Sequence, residues 1–256
     1  MSAFVLGVRI DGYSKSESIE KMGEFLRNGK QHLVTTPNPE MLVLAQKNAY
    51  FHEVLNKSDL NLCDGMGVEW AAQGQVHRFP GVDMMDALCG LAEKQQKRVY
   101  LLGSLHVSVL EGCKMALEKK YPNLHIVGMD TGVRLSFSSD AHLDYDDAAH
   151  DAMIDRIISA SPDILFVAFG HCKQELWLFE QLPHLPSVKI GMGVGGAFDF
   201  ISGTVPRAPK WMRAIGVEWL YRLIRQPWRI GRIWNAVVVF GWLIVKEKFH
   251  NGKKNI

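Results

Sequence analysis

Short apolar runs alternate with amphipathic stretches along most of this chain of 256 residues. Runs bounded by Gly, Pro or Asp predict buried strands, and apolar residues three and four apart predict helices between them. The predicted strands cover residues 4–10, 32–36, 60–63, 98–103, 125–129, 164–170 and 188–194. The predicted helices run from Ser14 or Ser16 to Leu26 and over residues 39–45, 83–96, 107–120 and 147–159. The polar, acidic stretch 136–147 is expected to be a long surface loop.

The alternation of strands and helices predicts the fold class. Residues 98–103, 164–170 and 188–194 are apolar almost throughout, which is typical of parallel strands buried on both faces. We therefore expect an α/β fold with a Rossmann-like, doubly wound, mostly parallel sheet. Near Arg207 the composition changes, and Trp and Arg residues then recur at helical spacing. This change divides the chain into a Rossmann-like domain, residues 1–206, and a helical appendage, residues 207–256.

Composition and charge narrow the function classes. Apolar residues make up 47% of the chain, enough for a full core, and a net charge of only +2 argues against a nucleic-acid partner. The basic excess after Arg207 favours an anionic partner, either a membrane surface or a phosphate. The longest apolar run, residues 236–245, is shorter than the roughly 20 residues of a spanning helix. The N-terminus shows no secretory pattern, and the four cysteines show no metal-ligand spacing, so we expect free thiols in the cytoplasm.

Polar residues follow two of the predicted strands. Thr36 ends the strand at 32–36 and Asn38 follows it, and Asp64 comes after the strand at 60–63. Ligands of doubly wound sheets bind outside the carboxyl ends of the strands, so these side chains can converge on a ligand. Two ordinary interpretations stay open at this point. Thr36 or Asn38 can simply cap the next helix, and Asp64 can belong to a common Asp-Gly turn.

Glycines at two other strand ends suggest contacts with a phosphate. Gly103 and Ser104 end a strand before a helix, whose exposed amide groups suit a diphosphate. Gly193, Gly195 and Gly196 follow another strand, where a backbone without side chains can approach a nucleotide. A tight packing turn explains the second group nearly as well. A dinucleotide loop of an oxidoreductase is a weaker interpretation, because no acidic residue follows at the proper distance.

The residues after the predicted strand at 164–170 form a third polar group. Gln174 lies in the first helical turn and can reach a sugar hydroxyl, whereas Glu175 can simply stabilise the helix N-terminus. His171 and Cys172 suggest a nucleophilic pair, but sequence neighbours are poorly placed to act on each other.

Taken in order, several motifs resemble one family. They are TPNPEM (36–41), LCDGMGVEWAA (62–72), RFPGVDMM (78–85), VYLLGS (99–104), GHCKQELW (170–177), GMGVGGAFDFISG (191–203), VPRAPKWM (205–212) and GVEWLYRLIRQPWR (216–229). The ordered set resembles the WecG/TagA/CpsF glycosyltransferases of bacterial cell-surface polysaccharide synthesis. Two features depart from the family pattern: His171-Cys172 replaces a small residue and Pro, and the segment 136–147 is longer than usual.

The resemblance implies an inverting transferase that needs neither a metal nor another cofactor. The donor would be a UDP-sugar, with N-acetylmannosamine or a related hexose derivative as the sugar, and the acceptor a sugar on a polyprenyl diphosphate. Asp64 would be the catalytic base, and Gly103, Ser104, Gly193, Gly195 and Gly196 would lie near the nucleotide. The residues carried over as substrate contacts are Thr36, Asn38, Arg78, Gln174, Arg222, Arg229 and Arg232.

The appendage is expected to bind an anionic membrane surface and to complete the active site. The enzyme would then be peripheral on the inner face of the cell membrane. Whether it forms a homo-oligomer stays open. Two alternatives remain beside the transferase: a non-catalytic membrane-binding module for nucleotide sugars, and the weaker oxidoreductase.

Overall fold

The computed structural model describes residues 2–104, 106–138, 142–225 and 227–254, without the side chains of residues 214, 222, 229 and 250–254. The chain begins with an antiparallel pair, β1 (Ser2–Val5) and β2 (Val8–Asp11). The prediction of one strand over residues 4–10 is therefore wrong. Leu6 and Gly7 both have positive φ, 50° and 74°, which reverses the chain in a two-residue turn. The apolar pattern continues through that turn and hides it.

The central sheet is parallel, as predicted, and contains six strands. They are β3 (His32–Thr35), β4 (Leu60–Asn61), β5 (Arg98–Gly103), β6 (His125–Asp130), β9 (Ile164–Ala168) and β10 (Ile190–Gly193). Their order is β4-β3-β10-β9-β5-β6, and every pairing is parallel. The predicted loop at 136–147 contains a further short antiparallel pair, β7 (Ser136–Phe137) and β8 (Leu143–Asp144).

Helices cover both faces of this sheet. On one face lie α2 (Pro39–Ala45), α3 (Ala49–Lys57), α7 (Asp147–Ala160) and α8 (Lys173–Gln181), and on the other α1 (Lys15–Phe25), α5 (Gly81–Lys94), α6 (Val107–Lys120) and α9 (Ala197–Ile201). The short α4 (Met66–Ala71) follows β4. Ser14 caps α1 in a capping box with Glu17, so the first of the two predicted caps is the one used.

Alternate residues of the strands pack into two apolar clusters, one on each face. In β9, Leu165 and Val167 join the cluster beneath α8, whereas Ile164 and Phe166 join the opposite one. All four side chains are fully buried. This explains why the strand is apolar at every position and confirms the doubly wound α/β prediction.

A helical region closes the chain. It contains α10 (Lys210–Ala214), α11 (Glu218–Arg225), α12 (Ile230–Trp234) and α13 (Phe240–Lys254), with a π-helical stretch, Asn235–Val239, before α13. Phe240 and Ile244 are buried in the cluster that contains α2. Most other large apolar side chains of this region are exposed. Among the described helices, none combines the length and hydropathy needed to cross a bilayer.

Candidate active site

A cavity of about 800 Å³ opens at the carboxyl edge of the sheet. Segments that follow the central strands form its walls. The sequence-predicted residues that line it are Thr36, Asn38, Asp64, Ser104, Gln174, Gly195, Gly196 and Arg232. These residues come from separate segments of the chain, so the structure brings together most of the predicted site.

Thr36 and Asp64 converge beside the first residue of α5. A Cβ atom added to Gly81 would lie 3.2 Å from Thr36 Oγ1 and 3.7 Å from Asp64 Oδ2. The Asp64 amide donates a hydrogen bond to the Pro37 carbonyl (3.0 Å), which ties the two loops together. A side chain at position 81 would therefore enter the space in front of both polar groups.

Asn38 and Gln174 line the cavity but already bond to the protein. Asn38 Oδ1 accepts from the Met41 amide (3.0 Å) and caps α2, so the capping interpretation is confirmed. Gln174 Oε1 accepts from the Gly195 amide (3.0 Å), and its Nε2 donates to Glu175 Oε1 (2.7 Å). Gln174 therefore holds the loop after β10 in place beside the cavity.

Glu175 is fully buried behind Gln174. Burial raises the pKa of its carboxyl to about 7, against the opposing effect of the hydrogen bond from Gln174. Its Oε2 atom has no hydrogen-bond partner among the described residues. A carboxyl group with a pKa near neutral pH therefore lies next to Gln174, which lines the cavity.

The predicted glycines have two different roles in the fold. A Cβ atom on Gly103 would lie 2.8 Å from the Ala168 carbonyl, and one on Gly193 would lie 2.6 Å from Gln174 Nε2. Neither glycine lines the cavity; both permit close packing. Gly195 and Gly196 do line it, as does Ser104. In the Gly-rich motif, the packing interpretation therefore holds for Gly193, whereas Gly195 and Gly196 stay available for contact with a ligand.

The His171-Cys172 pair is not a nucleophilic pair. Cys172 is buried, with an exposed fraction of 1%, and burial raises the pKa of its thiol to about 12. A protonated thiol is a poor nucleophile. His171 instead points toward the C-terminal region: its Nε2 lies 3.3 Å from Glu40 Oε1 and its Nδ1 lies 3.0 Å from Arg232 Nη2.

The C-terminal region supplies one wall of the cavity. Tyr221, Arg225 and Arg232 line it, and the Arg225 guanidinium lies 5.7 Å from the centre of the Tyr221 ring. Arg232 forms a bidentate ion pair with Glu40, with Nε–Oε1 and Nη2–Oε2 distances of 2.8 and 2.9 Å. The side chains of the other two predicted arginines, Arg222 and Arg229, lie outside the described residues.

Sequence reasoning missed Arg225 and Tyr221 as site residues. Arg225 recurs at helical spacing with the arginines that were selected, and this periodicity was the available signal. In the structure, Arg225 is among the residues that line the cavity.

Arg78 does not line the main cavity. It lies in a neighbouring cleft of about 280 Å³, together with Arg207, Lys210 and Arg213. Its backbone pairs with Cys63, the residue before Asp64, and its Nη2 donates to the Arg213 carbonyl (2.6 Å). Over the part of the chain that the structure describes, no three His, Cys, Asp or Glu side chains are grouped as metal ligands.

Comparison with known proteins identifies the family of this chain. Residues 3–254 match the glycosyl transferase WecG/TagA/CpsF family. The chain belongs to this family. It is also 31% identical over 250 residues to the N-acetylglucosaminyldiphosphoundecaprenol N-acetyl-beta-D-mannosaminyltransferase of Staphylococcus aureus strain MW2, across 95% of this chain and 92% of the relative. The same enzyme of strain NCTC 8325 matches with the same identity and coverage.

Membership in this family confirms that the chain is a glycosyltransferase. It gives no support to the oxidoreductase alternative, and the packing of Gly191 agrees with this. A Cβ atom there would lie 2.8 Å from Leu178 Cδ2, so this glycine is needed for the contact between β10 and α8.

Proposed function

We propose that this glycosyltransferase moves a sugar from UDP to N-acetylglucosaminyl-diphospho-undecaprenol, with inversion at the transferred carbon. N-acetylmannosamine is the first candidate for that sugar. The observation that carries the proposal is the position of Asp64. Its carboxylate converges with Thr36 beside Gly81, in the wall of a cavity large enough for a nucleotide sugar. The match to the Staphylococcus aureus enzymes, over nearly the whole chain, supports the substrate class.

Asp64 acts as the general base in this mechanism. It takes the proton from the acceptor hydroxyl while the hydroxyl oxygen attacks the anomeric carbon of the donor. The bond between that carbon and the UDP oxygen breaks, and UDP leaves with the electron pair. Attack from the side opposite to the leaving group inverts the anomeric centre. A positioned base of this kind contributes roughly 10²- to 10⁴-fold to the rate.

The departing diphosphate needs charge stabilisation. Arg225 lies in the cavity wall contributed by α11 and provides a cation, 5.7 Å from the centre of the Tyr221 ring. Charge-assisted hydrogen bonds from guanidinium groups to phosphate are among the stronger ones. Gly196 lines the same cavity, and its amide can add a neutral donor, whereas the Gly195 amide already donates to Gln174. Arg232 serves differently, because Glu40 and His171 already hold it.

The acceptor carries a long lipid, and the C-terminal region suits contact with a membrane. Its tryptophans are unusually exposed, with exposed fractions of 75% at Trp228, 59% at Trp234 and 59% at Trp242. Tryptophan favours the water–lipid interface. Basic side chains such as Lys246 and Lys248 lie in the same region and favour anionic lipids. We place the enzyme at the inner face of the cell membrane, where UDP-sugars are available.

One experiment tests the proposal directly. The purified protein is incubated with a panel of UDP-sugars and a short-chain prenyl-diphosphate-N-acetylglucosamine, and the products are identified by mass. The expected product is the acceptor extended by one N-acetylhexosamine in the configuration opposite to that of the donor, as determined by NMR. The Asp64→Asn variant serves as the matched inactive control. Transfer of no sugar from any UDP donor, or a product that retains the donor configuration, contradicts the proposal.

A further inference from the structure

The cleft that contains Arg78 is a second cationic site beside Asp64. Four of its lining residues are basic, Arg78, Arg207, Lys210 and Arg213, and two are acidic, Asp83 and Glu218. Arg207 is paired with Asp83, with an Nη1–Oδ1 distance of 2.5 Å. Besides this pair, the cleft is lined by three basic residues, Arg78, Lys210 and Arg213, and one acidic residue, Glu218. The cleft therefore holds more positive charge than its own acids neutralise.

Two chain segments join this cleft to the main cavity. At the start of α5, Gly81 and Val82 line the cavity, while Pro80 and Asp83 line the cleft. Before α10, Val205 and Pro206 line the cavity and Arg207 lines the cleft. Asp64 lies at this junction, because its carboxylate faces Gly81 and the Arg78 backbone pairs with Cys63.

Electrostatics agree with this arrangement. Burial alone would raise the pKa of the Asp83 carboxyl, but Arg207 lowers it below its ordinary range, and Arg213 adds to the effect. Burial likewise opposes the charge of Arg207, whereas Asp83 and, more weakly, Glu218 and Asp64 raise its pKa. Arg207 therefore interacts electrostatically with the proposed base as well as with the acids of the cleft.

We infer that this cleft binds the diphosphate of the lipid-linked acceptor, separately from the donor diphosphate in the main cavity. The inference rests on the proposed function, since it names the subsite for the second substrate. A volume of about 280 Å³ accepts a diphosphate but falls below the size of usual pockets for larger ligands. A diphosphate held there leaves the acceptor sugar beside Asp64, while the donor occupies the larger cavity on the other side of Gly81.

The surface outside the cleft suits the prenyl chain that follows such a diphosphate. Trp211 and Ile215, on and just after α10, have exposed fractions of 64% and 59%. Gly216 packs against Met66 of α4, so this apolar surface adjoins the loop that carries Asp64. A chain leaving the cleft meets these side chains and then the exposed tryptophans of the C-terminal region.

Lys210 is the best residue for a test, because it is exposed and its ammonium group takes part in no hydrogen bond or ion pair with the other described residues. We expect Lys210→Glu to raise KM for the prenyl-diphosphate acceptor about fivefold or more, while KM for the UDP-sugar changes less than twofold. Lys210→Arg should keep the wild-type values. Lys30→Glu, a change of the same charge in an exposed loop that lines neither site, is the matched control.

Two further experiments test whether the cleft recognises the diphosphate of the acceptor. With an alkyl N-acetylglucosaminide that lacks phosphate, Lys210→Glu and wild type should have the same KM. Inorganic pyrophosphate should bind wild type more tightly than Lys210→Glu. Its binding is measured by tryptophan fluorescence at saturating UDP, so this measurement does not depend on transfer activity. If wild type transfers no sugar but still binds pyrophosphate more tightly than Lys210→Glu, the proposed reaction is wrong while the anion site stands.

Three outcomes overturn the inference. One is an unchanged acceptor KM in Lys210→Glu, together with unchanged pyrophosphate binding. A second is an equal loss with the phosphate-free acceptor, which would mean that the substitution disturbs the site generally. A third is weaker binding to phosphatidylglycerol vesicles with an unchanged KM in their absence. That result would assign the cleft to lipid headgroups.

Discussion

The carboxyl edge of the sheet and the C-terminal helical region both form walls of the cavity, but different forces hold them. Thr36, Asp64 and Gln174 follow strands or begin helices whose apolar side chains are buried in two clusters. Tyr221 and Arg225 lie on a helix with no fully buried apolar residue among those described. The polar groups around the proposed base are thus held by a packed core, while α11, which also lines the cavity, has no fully buried apolar side chain among its described residues.

A few contacts hold the C-terminal region on the core. Phe240 and Ile244 pack against the cluster that contains α2, Gly216 meets Met66, and Arg232 pairs with Glu40 and His171. These contacts place charges over the cavity without burying the surrounding tryptophans. We therefore propose a division of labour, in which the core sets the geometry of proton transfer and the C-terminal region adds charge and membrane contact.

The largest expected effect belongs to the core. Asp64→Asn keeps the shape of the side chain but cannot take the proton, so kcat should fall by at least about 10²-fold. Thermal unfolding should stay close to that of wild type, because the change is at the rim of a cavity. Asp155→Asn, on the exposed side of α7, is the control for loss of a carboxylate. A rate within about threefold of wild type would remove Asp64 from the role of base.

A second effect also concerns the core, and it depends on pH. The folded-state pKa of Glu175 is about 7, above its ordinary value of 4.5, so the folded protein holds this proton where the unfolded chain has lost it. The free energy of unfolding should therefore fall by about 3 kcal/mol as the pH rises from the ordinary pKa of this carboxyl through its folded-state pKa. Glu175→Gln should remove this dependence, as measured by urea unfolding at several pH values. The same slope in both proteins would contradict the assignment.

Some parts of the fold and of the site were predictable from the sequence, and others were not. The strands β5, β9 and β10 were predictable because short apolar runs that end in glycine are typical of buried parallel strands. Asp64 and Thr36 could be placed at one edge because parallel strands end together. The Leu6-Gly7 turn was not predictable, since its residues continue the apolar pattern. The cleft between Arg78 and Arg213 joins residues 135 positions apart, and no local pattern reports such a contact.

A smaller effect should separate the membrane contact from the chemistry. Trp228→Ala should weaken binding to anionic vesicles about fivefold, which corresponds to about 1 kcal/mol of lost apolar burial. Transfer to a short, water-soluble acceptor should stay unchanged. Phe4→Ala, which removes a similarly exposed aromatic ring from β1, should not alter vesicle binding. Equal vesicle binding by Trp228→Ala and wild type would move the membrane contact elsewhere.

The smallest effect concerns the ion pair between the two regions. Arg232 is half exposed, so its pairing with Glu40 should be worth only about 0.5–1 kcal/mol. Arg232→Glu should therefore lower kcat/KM about two- to fivefold, and the swapped pair Glu40→Arg with Arg232→Glu should recover part of the loss. Arg27→Glu on the exposed surface is the control. A double variant that is no better than the product of the single changes would mean that the pair does not couple the regions.

The most direct test of the division of labour is the activity of Arg225→Ala on a short, water-soluble acceptor in the absence of any membrane. If α11 completes the active site, loss of a charge-assisted contact with the donor diphosphate should lower kcat/KM by about 10- to 100-fold. The loss should be the same with and without vesicles, and thermal stability should be unchanged. Full activity of Arg225→Ala on the soluble acceptor would contradict the account, because the C-terminal region would then serve only as an anchor.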